Sequence, residues 1–88
     1  MTTELIEKFV ENKSRKGEAL TIYFKQRSTF SGIFVNGSDY EELKSKNFWR
    51  IVNSNAAEEW KRTANMDLAR IFSGVSIRRL TEQPAEKN

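Results

Sequence analysis

The sequence predicts a mainly β domain, an N-terminal helix followed by a five-stranded, strongly bent antiparallel small barrel. Three observations point there. A helical apolar period occurs only near the N-terminus, where Leu5, Ile6, Phe9 and Val10 share one face. From Ala19 onward the apolar residues come in short runs with strand character. Two of those runs, "TFSGIFV" and "RIFSGVSIRRL", are broken by one glycine each, Gly32 and Gly74, as strands are where a sheet must bend sharply.

The helix is expected over about Thr3 to Arg15. Thr2 or Thr3 can cap it, Glu4 and Glu7 suit its positive end, and Lys13, Arg15 and Lys16 followed by Gly17 suit its close. Its apolar stripe reads as a lid on a small sheet. In the first strand Leu20, Ile22 and Phe24 alternate with Thr21, Tyr23 and Lys25; "KQRS" then reverses the chain, and Phe30 to Val35 form the second strand around Gly32. "NGSDYEELKSK" reads as a hairpin connection with a frayed loop, or else as a tight Asn-Gly turn with Asp39 to Leu43 opening the next strand. Phe48 to Val52 is a strand rich in aromatic and β-branched residues, with Trp49 in the core.

"NSNAAEEWKRTANM" loses the apolar rhythm. It is read either as one helical turn, with Asn55 before Glu58 as cap and Glu58 beside Arg62, or as a protruding hairpin. Met66 to Phe72 and Val75 to Leu80 are the last two strands, hinged at Ser73 and Gly74. Residues 1–82 thus make one domain and 83–88 a flexible polar tail. The alternative architecture is an α+β domain with the helix packed on an open antiparallel sheet.

Composition narrows the function. Neither histidine nor cysteine occurs among the 88 residues, which removes the commonest general base, the usual zinc ligands and disulfides together. No phosphate loop or nucleophile elbow is present, so the expectation is a protein that is not an enzyme, with no cofactor and no metal. The acidic turn of Asp39, Glu41 and Glu42 has no recognised cation-loop spacing. No apolar run is long enough for a membrane span and the first residues do not read as a signal peptide, so a soluble cytoplasmic protein is expected. The net charge of +3 is uneven: between Lys44 and Leu80 basic residues well outnumber acidic ones, which suits an anionic partner.

The order of elements and two short motifs resemble the Sm-like fold of bacterial Hfq and the LSm proteins, a small barrel related to the SH3-like barrels. Gly32 matches that family's first strand glycine, with Asp39 and Tyr40 one position later than usual. Phe72, Gly74, Ile77 and Leu80 match its second motif, with Ser73 where the family usually has a basic or related polar residue. The resemblance implies a homo-oligomeric ring joined through the last two strands, and RNA held by a loop pair, here Asp39 and Tyr40, with Gly74 as a point of close approach.

Read from the residues alone, the basic constellation of Arg50, Lys61, Arg62, Arg70, Arg78 and Arg79 is interleaved with Trp49 and Trp60. Arginines with exposed aromatics hold single-stranded nucleic acid, and they also enrich protein interfaces. Trp60, flanked by Glu59 and Lys61, is the aromatic expected to meet a partner. The sequence therefore supports RNA binding or, as the alternative, a protein-interaction or assembly module.

Overall fold

The alternation of Leu20, Ile22 and Phe24 with Thr21 and Tyr23 makes β1 (Leu20–Phe24) a strand with its apolar side buried and its polar side half-buried. Four more strands join it: β2 (Phe30–Val35), β3 (Phe48–Asn53), β4 (Ala69–Ser73) and β5 (Ile77–Glu82). They form one antiparallel sheet in the order β4-β3-β2-β1-β5 in this computed structural model, which describes residues 1–11 and 19–82. Helix α1 (Thr3–Val10) precedes the strands, and α2 (Tyr40–Ser45) and α3 (Ala57–Thr63) lie in their connections, with 3-10 turns at Ser54–Ala56, Met66–Leu68 and Gly74–Ser76.

The sheet is strongly curled. Neighbouring strands lie about 4.8 Å apart, so a flat sheet would hold β4 and β1 about 14 Å from each other. Yet the rings of Phe72 on β4 and Phe24 on β1 have centroids 5.4 Å apart, with Phe30 of β2 5.4 Å from Phe24 and 5.6 Å from Phe72. Inside the curl Ile6 of α1 packs with Leu20, Ile22, Phe24, Trp49, Ile51, Ile77 and Leu80. The helix therefore stops the end of the curl nearest α2, as the lid its apolar stripe predicted. Thr2 caps it, accepting a hydrogen bond from the Leu5 amide.

A second, smaller cluster lies on the opposite face. Ile33, Val35 and Val52 are buried there beneath Ala56, Ala57, Trp60, Leu68 and Ala69. These side chains use the other parity of β2 and β3, so both faces of the middle of the sheet are covered. α3 is the cover.

β5 holds both Ile77 and Leu80 inside although they are three residues apart. A β-bulge permits it: Phe24 pairs with Ile77 and Tyr23 with Arg79, leaving Arg78 as the extra residue. Both arginines are thereby turned outward.

Several expectations change. The first helix ends at Val10, where the apolar face ends, rather than near Arg15; the proposed cap at Gly17 and the polar tail lie outside the described residues. The "NGSDYEELKSK" connection is neither a frayed hairpin loop nor a tight turn, because "YEELKS" forms the single-turn helix α2. The segment after β3 is helical rather than a hairpin, and its cap is Asn53, whose side chain accepts from the Asn55 amide. Gly74 lies in the turn between β4 and β5, at the hinge expected there. Its role is close approach: a Cβ there would meet Asn47 Oδ1 at 2.1 Å. At Gly32 a Cβ would meet Ile51 Cγ2 at 2.6 Å and the Val52 carbonyl oxygen at 3.0 Å, so β3 sits against bare backbone.

Candidate functional site

The end of the curl away from α1 is open. Here the β1–β2 turn comes beside the end of β3 and the start of β4, and Arg27, Ser28, Thr29, Phe30, Ile51, Asn53, Leu68, Arg70 and Phe72 line a groove of about 460 Å³. Its floor is apolar, built from the inward residues Ile51 and Phe72. Its rim is polar, because Arg27, Ser28 and Thr29 belong to the turn and Asn53 ends its strand.

Two guanidinium groups serve this groove. Arg27 lies over the rings of Phe24 at 5.5 Å and Phe72 at 5.2 Å, so its charge rests against an aromatic wall. Arg70 projects from the inward side of β4, beyond the rim of the core, and is exposed. Neither has a carboxylate within salt-bridge distance among the described residues. Cation, aromatic face, hydroxyl and amide thus converge in one concavity.

A second cationic patch lies on the outer surface of β1 and β5. The bulge puts Arg79 4.3 Å and Arg78 5.7 Å from the centroid of the Tyr23 ring. Both arginines are exposed. The structure brings this sequence-predicted pair together on one tyrosine, and keeps it on the strand at the opposite end of the sheet order from Arg70.

The remaining predicted residues, Lys61 and Arg62 apart, have internal partners. Asp39 precedes α2 and is ion-paired with Arg50 of β3, whose guanidinium holds the Asp39 carboxyl below its ordinary pKa. Tyr40 is half-buried; its hydroxyl donates to Glu11 at 2.7 Å and its ring meets Trp49 edge-on. Burial, and then the Glu11 carboxylate, raise the Tyr40 pKa. Lys44 completes this cluster with contacts to Glu7 at 2.8 Å, Glu11 at 3.1 Å and Glu41 at 3.4 Å, which raise its own pKa. Trp49 is buried as expected, and donates its Nε1 hydrogen to Asn47 at 2.8 Å. Trp60 is half-buried against the Ile33, Val35 and Val52 cluster, so its ring covers the sheet. Lys61 and Arg62 are exposed in the last turn of α3, where they suit the helix dipole. Gly74 is buried against Asn47.

Arg27 and Phe30 are groove residues that the sequence pattern does not single out, and Phe72 enters it only as a motif position. The signal is the spacing Phe24, Arg27, Phe30, an arginine at a hairpin turn three residues from an aromatic on each side.

Among the described residues, no group of three or more Asp or Glu side chains is placed to hold a metal ion, and no helix is long and apolar enough to cross a membrane. No family model, curated protein or solved structure matches the chain.

Proposed function

We propose that this chain is a non-enzymatic small-barrel module of the Sm-like kind that binds single-stranded nucleic acid, RNA foremost, in the groove between the β1–β2 turn and β4. The observation that carries this reading is the placing of Arg27 and Arg70 beside the half-buried rings of Phe30 and Phe72. Single strands expose base faces and phosphates together, and bind where a stacking surface adjoins fixed positive charge. Phe72 with Arg27 over it supplies the stacking wall; the two guanidiniums take the phosphates; Ser28, Thr29 and Asn53 offer hydrogen bonds to base edges or a 2′-hydroxyl. The Tyr23, Arg78 and Arg79 patch extends the phosphate path on the outer surface. A cysteine-free chain suits the reducing cytoplasm where such a ligand is met.

Fluorescence anisotropy with labelled oligo-A, oligo-U and duplex DNA at two ionic strengths tests this. Binding to a single strand should weaken steeply with salt. Replacing both Arg27 and Arg70 by Ala should reduce affinity about tenfold or more and flatten the log-log salt slope by about 0.7 for each phosphate that is no longer neutralised. Absence of binding to all three ligands at low salt rejects the reading and leaves the protein-interaction module.

A further inference from the structure

The two terminal strands of the sheet are built differently. β5 carries the bulge at Arg78 and two adjacent outward arginines, devices that keep an exposed edge from pairing. β4 has neither a bulge nor a proline: its register with β3 runs unbroken from Ala69 to Ser73, and Arg70 is its one charge. Ile71, at the middle of β4, is 51% exposed. Val75 follows in the next turn at 63%, and Phe48, at 37%, pairs with Ser73 on the neighbouring strand. Three of the four large exposed hydrophobic residues among those described therefore gather at this edge, Leu5 being the fourth.

We propose that β4 is a self-pairing edge and that two copies of this chain join through it, antiparallel, across a two-fold axis at Ile71. The register follows from side-chain parity and charge. Opposed residues in a sheet point to the same face, so the axis must pass through a residue and not between two. An axis at Arg70 opposes two guanidiniums. An axis at Phe72 sets Arg70 against Gly74, which has already left the strand. The axis at Ile71 sets Ile71 against Ile71, Ala69 against Ser73 and Arg70 against Phe72, so all five residues of β4 are paired and each arginine meets an aromatic ring.

A ring in which β4 joins β5 of the next copy fits less well, because the regular register of β4 would have to pair with an edge interrupted by the bulge at Arg78. The two-fold arrangement also changes the site. Arg70 and Phe72 line the groove, so each copy contributes these residues to its neighbour's groove and the two concavities become one. The dimer stands apart from whether that groove holds RNA. An interface of one short strand and a few apolar residues is small, so association should depend on concentration.

The chain has no cysteine, which makes Ile71→Cys a clean probe. Directly opposed residues in an antiparallel pair have Cβ atoms about 5 Å apart, close enough for a disulfide after a small adjustment. Mild oxidation should convert Ile71→Cys to a covalent dimer, while Thr81→Cys on β5 should stay monomeric on a non-reducing gel. Sedimentation of the unmodified chain should show monomer passing to dimer as concentration rises, and Ile71→Lys should abolish the dimer. A monomer at concentrations up to about 1 mM overturns the proposal. So does an assembly of three or more subunits in which Ile71→Cys does not cross-link, the signature of a ring. The cross-link reads out the contact even where the lysine variant fails to fold.

Discussion

The Gly74 amide donates a hydrogen bond to the Asn47 carbonyl at 2.8 Å, and the Asn47 side chain lies where a Cβ of residue 74 would be. Asn47 is itself held in place. Its Oδ1 accepts from Trp49 Nε1 at 2.8 Å, its Nδ2 donates to the Met1 carbonyl at 2.9 Å, and its backbone is left-handed at φ 63°. The turn before β3 is thus locked to the turn before β5 with no slack between them.

Gly74→Ala should therefore destabilise the domain by about 1–3 kcal/mol, the usual cost of overpacking a site that cannot relax. Gly37→Ala is the comparison: its Cβ would meet the ends of the Arg50, Met66 and Asp39 side chains at 2.9, 3.0 and 3.1 Å, none as close as Asn47 is to Gly74, so it should cost less, chiefly by disturbing the Asp39–Arg50 pair. Urea melts in which the two variants lose equal stability contradict the account.

Asn47→Gly and Asn47→Ala separate backbone from side chain at the same lock. Both strand the buried Trp49 donor, at about 1–3 kcal/mol. Alanine adds about 1 kcal/mol for the left-handed backbone, which glycine accepts freely. Thermal unfolding should rank wild type above glycine above alanine.

Trp60→Ala should cost about 2 kcal/mol of stability, less than a fully buried aromatic, because its ring covers Ile33, Val35 and Val52. Oligonucleotide affinity should be unchanged per folded molecule. A fully stable variant that no longer binds would return Trp60 to the role its polar neighbours suggested.

Acid should weaken the fold through two named carboxylates. The Tyr40 hydroxyl, with Lys44, lowers the Glu11 pKa, and Arg50 lowers that of Asp39. Both bind protons more weakly folded than unfolded. Their contribution is therefore intact above the ordinary carboxylate pKa, about 4, and is lost as pH falls through the depressed folded values. Combining Glu11→Gln with Asp39→Asn should lower stability at neutral pH and flatten its decline in acid, as followed by melts across the acid range.

The strands were legible because each carries its own pattern: β1 by alternation, β3 by density of aromatic and β-branched residues. α2 was hidden by length, since "YEELKS" spans too few residues for a helical period and its Asn-Gly and Ser-Asp neighbours read as turn. Trp60 reads as a fully exposed aromatic because "EEWKR" is polar in sequence, while its ring is half-buried against the sheet once α3 forms. The bulge had a signature that alternation alone misses, two buried residues three apart with arginines between them. The groove was least legible. It exists because curling brings a turn after β1 onto β4, and no local spacing encodes that approach.

The sheet order also sets a sequence of events during synthesis. β1 pairs with β5, Leu20 opposite Glu82, so an early strand is completed by one made much later. Until residue 82 has left the ribosome, the apolar side of Leu20, Ile22 and Phe24 lacks Ile77 and Leu80, and only β2 can lie beside it. Loop closure over nearly the whole described chain must precede any gain from that pairing, which places it late and makes it slow. Until β5 docks, β1 as well as β4 lacks a partner along its outer edge; docking replaces the regular β1 edge by the bulged β5 edge and leaves β4 as it was.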